Sequence, residues 1–136
     1  MDVPTKITIV LREGLETWQA LNVTAFLASG VAAGWGELIG QPYEDGAGNK
    51  YLPMFGRPVL VFQGSGDEVA RTHRRALDRG MVIAVYTRQM FSTGNDEDNR
   101  AVVRAVAGED LDLVGLAVHG PRTGVDKVCK GLRLHP

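Results

Sequence analysis

Short apolar runs alternate along the chain with longer segments in which apolar residues recur at helical spacing. An unbroken run of about four to eight apolar or β-branched residues is typical of a strand that is covered on both faces. We predict strands at the unbroken runs 6–11, 58–63, 81–87 and 111–120. The most continuously apolar runs are expected at the centre of the sheet, namely 6–11, 81–87 and 112–119.

Helical spacing predicts helices over 14–34, about 67–79, 95–106 and 122–132, with a last edge strand behind the final helix. The turn-forming segment PYEDGAGN joins Glu37–Gln41 to Lys50–Met54 and predicts a hairpin. Strands that alternate with helices indicate an α/β domain. Because no linker interrupts this pattern, residues 1–136 are predicted to form a single domain.

Composition adds limits on the kind of protein. A chain of 136 residues with 44% hydrophobic and 23% charged residues is typical of an ordinary globular domain. The formal net charge of -1 gives no overall attraction to nucleic acid or to anionic membranes. With Cys129 as the single cysteine, no signal-peptide pattern and no membrane-length apolar run, we expect a cytoplasmic protein without disulfides.

The segment TGNDEDNRAVV (93–103) combines a cluster of amides and acids with the start of a helix. A calcium loop that begins at Asp96 is excluded, because its sixth and twelfth positions are alanines. Thr93 or Asn95 is predicted to cap the helix, with acids in the first turn and an Asp96–Arg100 pair. Asn95 and Asn99 share the helix face that should turn inward, so they are also candidates for the edge of a ligand pocket.

The first helix and the strand before it supply two more candidate ligand-binding residues. Trp18, Asn22 and Phe26 lie on one face of the helix at i, i+4 spacing, and Asn22 is polar among apolar neighbours. Asn22 either lines a pocket or is a buried amide bonded to backbone. Arg12 ends the first strand, and ligands of α/β proteins gather at the carboxyl ends of strands.

Several other motifs favour structural roles. Gly64-x-Gly66 lacks the third glycine of the dinucleotide fingerprint, so a tight turn with a capped helix is predicted. The basic segment 71–79 is interpreted as a solvated helix face, which puts His73 on the surface. No histidine has metal-ligand spacing, and no metal or cofactor is predicted. His119 ends a strand, where a functional histidine is plausible, whereas Cys129 fits a core position.

The order of these blocks resembles the archaeal- and eukaryotic-type (second class) peptidyl-tRNA hydrolases. The resemblance is carried by KITIVLREGL with its long helix, RGMVIAVYT, and above all LDLVGLAVHGPRTGVDKVCKGLRL. The segments ALNVTAFLASG, NDEDNR and GPRTGVDKVCKGLRLHP are similar to an uncharacterised bacterial family of short proteins related to that fold. The resemblance implies a three-layer α/β/α sandwich with a small mixed sheet, commonly dimeric.

The chain departs from the hydrolases at their functional residues. Where the hydrolases have a Gly-Lys pair in the first helix, this chain has Ala20 and Leu21. Where they have an aspartate after the strand that matches MVIAVYT, Thr87 is followed by Arg88. Loss of a cation and an anion changes the chemistry of a site. The residues left around the crevice would be Asn22, Arg88, Asn95 and Asn99.

Three functions compete on these grounds. The leading hypothesis is a small α/β protein that binds a small anionic or nucleotide-like ligand in a polar crevice. The second is an esterase that acts on peptidyl- or aminoacyl-tRNA, which the lost lysine and aspartate and the net charge oppose. The third is a dimeric interaction module. The first helix lacks a broad polar face, so either the hairpin of residues 37–54 or another chain should cover it. The resemblance to the commonly dimeric hydrolases favours a homodimer.

Overall fold

The computed structural model describes residues 4–136. The strands are β1 (Thr5–Arg12), β2 (Tyr43–Glu44), β3 (Lys50–Tyr51), β4 (Val59–Gly64), β5 (Ala84–Thr87), β6 (Leu113–Pro121) and β7 (Arg133–Leu134). The helices are α1 (Thr17–Gly34), α2 (Gly66–Asp78), α3 (Asp96–Arg104) and α4 (Arg122–Val128). Strands and helices therefore follow one another largely as the sequence predicts, including the short edge strand after the last helix.

Five strands form one mixed sheet in the order β5-β6-β1-β4-β7, and β2 pairs with β3 in a separate hairpin. β1 pairs in parallel with β4 and antiparallel with β6, and β6 is antiparallel to β5. Strands β1, β4 and β5 consequently all run in one direction. Their carboxyl ends lie at one edge of the sheet, and the end of β6 lies at the opposite edge.

Helices cover both faces of the sheet. Alternate residues of β1 point to opposite sides, as the two-residue period of a strand requires. Ile7 and Ile9 pack with Val23 and Leu27 of α1, whereas Val10 packs with residues of α2 and α4 on the other face. Each apolar position of this central strand is therefore buried beneath a helix.

The contact between α1 and β6 depends on a missing side chain. A Cβ atom at Gly115 would lie 2.8 Å from Cγ1 of Val23 and 3.0 Å from Cδ1 of Leu27. Both of these α1 residues are almost completely buried. Glycine at this position of β6 thus allows the helix to pack directly on the backbone of the sheet.

The prediction that residues 81–87 form a central strand was wrong. Only Ala84–Thr87 are in strand conformation, and β5 lies at the edge of the sheet. The amide of Met81 donates to the carbonyl oxygen of Ala76, so the first residues of the apolar run close the end of α2. The apolar residues of this run are partly buried against the helices, although the strand itself lies at the edge of the sheet and not at its centre.

The predicted hairpin is present but shorter. Its strands are Tyr43–Glu44 and Lys50–Tyr51, whereas Gly36–Leu38 forms a 3-10 turn and Ile39 makes a single bridge to Phe55. The turn is held by the Asp45 carboxylate, which accepts hydrogen bonds from the amides of Ala47 and Asn49. The backbone amides of this turn thus find hydrogen-bond partners within the turn itself, and each strand of the hairpin is only two residues long.

His73 contradicts the prediction of a solvated surface position. It is buried together with Val69, Thr72 and Ala76, which lie on the inner stripe of α2 at spacings of three and four residues. Burial lowers the pKa of His73. The arginines around it lie toward solvent or at the margin, so the basic composition is confined to the outer part of the helix.

Helix α1 leaves large apolar side chains in contact with solvent. Trp18, Leu21 and Phe26 are 59%, 67% and 51% exposed. The hairpin does not cover them within the chain, although that was one possible partner for this face. Among the described residues, no helix is both long and apolar enough to cross a membrane.

We expect Gly115→Ala to destabilise the protein by about 1–3 kcal/mol, because the added methyl group would overlap Val23 and Leu27. Gly36→Ala is the matched control, since a Cβ there meets no atom within 4 Å. Urea unfolding followed by circular dichroism measures both changes. Equal unfolding midpoints for the two variants would contradict close packing at Gly115.

Candidate functional site

A crevice of about 320 Å³ lies between α1, the end of β5 and the start of α3. It is at the sheet edge where the parallel strands end, the usual position of ligand sites in α/β proteins. Its polar lining includes three of the amides predicted from the sequence. The lining residues are Trp18, Asn22, Phe26, Tyr86, Met90, Phe91, Thr93, Gly94, Asn95, Asp96 and Asn99.

Four aromatic rings form one wall of the crevice. Tyr86 lies at the centre, with ring centroids 5.7 Å from Phe26 and 5.2 Å from Phe91. Trp18 meets Phe91 edge to face at 5.7 Å. Tilted and edge-to-face contacts at these distances are favourable between aromatic rings. The rings therefore hold one another and leave part of the Trp18 and Phe26 surfaces open to a ligand.

Asn22 contacts this aromatic cluster through its amide. Its Nδ2 atom donates to the hydroxyl oxygen of Tyr86 at 3.4 Å. Burial raises the pKa of Tyr86, and the hydrogen bond from Asn22 partly offsets that rise. Tyr86 is thus a neutral phenol at physiological pH, and within residues 4–136 the side-chain oxygen of Asn22 accepts no side-chain hydrogen bond.

The two amides of the acidic segment have different roles. Asn95 caps α3, because its side-chain oxygen accepts from the amide of Asp98 at 2.8 Å. This confirms one of the two predicted caps. Asn99 is half-buried, and its amide lies within hydrogen-bond distance of the Thr93 hydroxyl. The predicted Asp96–Arg100 pair is also present.

The Thr93 hydroxyl fixes the orientation of Asn99. It lies 2.9 Å from the carbonyl oxygen of Met90 as well as beside the Asn99 amide. The hydroxyl has one hydrogen, which it shares between the carbonyl oxygen of Met90 and the side-chain oxygen of Asn99. In this orientation the amide nitrogen of Asn99 is the group that can donate to a ligand in the crevice.

The two arginines predicted from the strand ends lie outside this lining. Arg12 and Arg88 both pair with Asp112, at 2.9 and 3.2 Å. The Arg12 guanidinium also lies against the backbone of Gly66. Both side chains are at the expected edge of the sheet, but one carboxylate that precedes β6 binds them both and neutralises part of their charge.

His119 lies at the opposite edge of the sheet from the crevice. Its ring is buried and meets Trp35 edge to face at 4.7 Å. Within the described residues, neither of its ring nitrogens has a hydrogen-bond partner. Burial lowers the pKa of His119, and Arg57 lowers it further, whereas Glu37 has the opposite effect. The neutral imidazole is therefore the form that this environment favours.

The environment of Cys129 disfavours its thiolate, which is the nucleophilic form of the side chain. Cys129 is buried, and burial raises the pKa of its thiol to about 11. Within residues 4–136, no group of three potential metal-ligating side chains is present. The crevice thus offers amides, a hydroxyl and aromatic surface, which bind and orient a ligand, and Asp96 as its acid.

Sequence reasoning missed Tyr86 and Phe91 as parts of the site. Both are in the segment that continues from the strand into Arg88. An aromatic residue at the end of a strand, followed by a second one five positions later, was the available signal. Aromatic residues are also common in hydrophobic cores, so nothing in the sequence marked these two as parts of a ligand site.

In residues 4–136, a mixed five-stranded sheet with four helices and an amide-lined crevice defines a small α/β protein. The family model described as "Protein of unknown function (DUF2000)" matches residues 5–136, so the chain belongs to this family. The solved structure of a protein of unknown function from Agrobacterium tumefaciens strain C58, Atu0240, is 43% identical, with a TM-score of 0.95. The match covers 97% of this chain and 98% of that one. No curated protein matches the chain.

These comparisons confirm the predicted membership of an uncharacterised bacterial family. They also support the mixed α/β fold, because a solved structure of nearly the same length superposes along almost the whole chain. The relative is itself described as a protein of unknown function.

The lowered pKa of His119 gives a pH-dependent stability. In the unfolded chain His119 takes up a proton near its ordinary pKa of 6.5, and in the folded protein it does so only at lower pH. The contribution of His119 to the free energy of unfolding is therefore fully present above about pH 6.5 and is lost as the pH falls through the folded-state pKa. His73 contributes in the same direction.

We expect His119→Phe to reduce the loss of stability between pH 7.5 and about pH 5, because it removes the proton-binding group and keeps a ring against Trp35. His135→Phe, at an exposed position next to the terminus, is the control. Urea unfolding at several pH values measures the difference. If His119→Phe kept the full pH dependence, the buried imidazole would not be its source.

Proposed function

We propose that this protein binds a small nucleotide-like ligand, whose planar ring lies in the crevice between α1, β5 and α3. The observation that carries the proposal is the combination of aromatic surface with Asn22 and Asn99 in one cavity. An amide side chain offers both a donor and an acceptor, which suits the edge of a nucleobase. Stacking of a base on an aromatic side chain contributes about 1–3 kcal/mol.

The charges favour a neutral ring over a simple anion in this crevice. Asp96, which pairs with Arg100, is the charged residue of the lining, and among residues 4–136 no lysine or arginine lines this cavity. The positive groups expected there, Arg12 and Arg88, share Asp112 as a partner. A free carboxylate or phosphate would meet little positive charge. Of the two ligand classes predicted from sequence, the nucleotide-like class is the better match.

The resemblance to the second-class peptidyl-tRNA hydrolases supports a common three-layer α/β/α arrangement as part of this proposal. It does not extend to their chemistry. Leu21, at one of the hydrolase pair positions, is exposed and apolar, and Arg88, in place of the aspartate, pairs with Asp112. We therefore propose that the protein lacks peptidyl-tRNA esterase activity. Turnover of peptidyl-tRNA that Asn22→Ala abolishes would support the esterase alternative instead.

A thermal-shift panel of nucleosides, nucleotides and simple carboxylates tests the ligand proposal. A ligand at about 100 times its Kd stabilises the folded state by about 2.7 kcal/mol, which raises Tm by several degrees. We expect such a shift with nucleosides or nucleotides and little with carboxylates. Asn99→Ala should reduce the shift by weakening recognition of the ring edge.

Gln41→Ala is the matched control for this experiment, because it removes an exposed amide outside the crevice. The Tm of each variant without ligand separates lost binding from lost stability. Equal ligand shifts in the Asn99 and Gln41 variants would contradict the assigned site. The absence of a shift with every nucleoside and nucleotide would remove the nucleotide-like class altogether.

We also propose that the protein is a homodimer. The support is the exposed apolar face of α1, with Trp18, Leu21 and Phe26, together with Leu52 and Met54 near the hairpin. A second copy presents the same surfaces, so a two-fold contact can bury both sets at once. Contiguous exposed apolar surface is typical of interaction sites.

Light scattering at micromolar concentration is expected to give about twice the chain mass of 14.7 kDa. Leu21→Asp should shift the protein toward the monomer, because it would bury an unpaired charge twice in the contact. Leu77→Asp is the control, since Leu77 is a similarly exposed leucine on α2. A wild-type mass near 14.7 kDa would refute the dimer.

A further inference from the structure

A second cavity lies at the opposite edge of the sheet from the crevice. Its volume is about 370 Å³, and it is found where β1 and β4 begin and α4 follows β6. Residues from three separate parts of the chain line it. Those that bear polar groups are Thr5, Lys6, Arg57, Arg122 and Asp126. We call it the basic cavity.

Positive charge exceeds negative charge in the basic cavity. Lys6, Arg57 and Arg122 face a single carboxylate, that of Asp126, which pairs with Lys6 at 2.7 Å. In the part of the chain that the structure describes, neither arginine pairs with a carboxylate. Four other arginines do have such partners among the described residues, namely Arg12, Arg88, Arg100 and Arg133. The basic cavity, with three cations and one carboxylate, is thus a local excess of positive charge on a chain with a net charge of -1.

The surroundings of Lys6 strengthen its electrostatic interactions. Its side chain is 23% exposed, and the ammonium group lies 5.9 Å from the ring centroid of Phe62. Pro58 and Leu60 add apolar surface to the cavity. Charges at a partly apolar wall are screened less than charges in open water. An anion in the cavity would therefore be held more strongly than at an isolated surface lysine.

Arg57 is already positioned by the strand beside it. Its NH1 group donates to the Thr5 hydroxyl at 3.0 Å. This contact uses one of five guanidinium hydrogens and leaves the others for a ligand. The hydrogen of the Thr5 hydroxyl is also left to donate, because the oxygen accepts from Arg57. Arg122 adds a second planar group at the same cavity.

We propose that the basic cavity binds a phosphate group, through Arg57 and Arg122 with the Thr5 hydroxyl as an additional donor. Planar guanidinium groups bind oxyanions in a bidentate manner, and a phosphate has enough acceptor oxygens for two of them. A dianion also matches two cations more closely than a carboxylate does. This site is separate from the nucleotide-like crevice and does not depend on it.

Titration of the full chain with inorganic phosphate, followed by NMR at constant ionic strength, tests this proposal. We expect saturable shifts at Thr5 and at residues beside Arg57 and Arg122. Arg57→Gln combined with Arg122→Gln should weaken binding by about tenfold or more, since charge-assisted hydrogen bonds are lost. Arg74→Gln, an exposed arginine on α2, is the matched control and should leave binding unchanged.

Asp126→Asn provides a change in the opposite direction. It removes the carboxylate that competes for Lys6, so phosphate binding should become tighter. Improved binding cannot result from a damaged fold. A phenyl phosphate arm distinguishes an esterified phosphate from the free ion, and an acetate arm tests a carboxylate. Acetate binding as tight as phosphate, equal binding by the double variant, or no saturable shift would each overturn the proposal.

Discussion

Close packing of α1 on β6 is the constraint on which the rest of the structure depends. Gly115 presents backbone instead of a side chain, and Val23 and Leu27 occupy the space where its Cβ would be. Because Asn22 precedes Val23 in the same helix, this contact also sets where the Asn22 amide meets Tyr86. A displacement of the helix would open the aromatic wall and the core together.

Much of the fold could be predicted from the hydrophobic pattern, since buried strands and amphipathic helices have different periods. β1 and β6 were located well because both faces of each are covered by helices. The position of β5 could not be read in the same way. The apolar residues of β5 reflect burial by the neighbouring elements. A short apolar run does not reveal which strands pair with each other, or whether a strand lies at the edge of the sheet.

The candidate site was predictable only where its residues share one helix or one loop. Asn95 and Asn99 are related by helical spacing, and Asn22 is a polar interruption in an apolar helix. The roles of Arg12 and Arg88 depend on Asp112, which is distant from Arg12 in sequence. The cations of the basic cavity are even more widely separated, so tertiary structure alone brings Lys6, Arg57 and Arg122 together.

Trp18 and Phe26 belong to two surfaces at once. They line the crevice, and they also form part of the exposed face of α1. A partner that covers this face would alter the walls of the crevice, so the proposed ligand binding and the proposed dimerisation would be thermodynamically linked. If assembly changes ligand affinity by some factor, the ligand changes the assembly constant by the same factor. Affinity then becomes a function of protein concentration, and a dilute and a concentrated sample report different values for the same crevice.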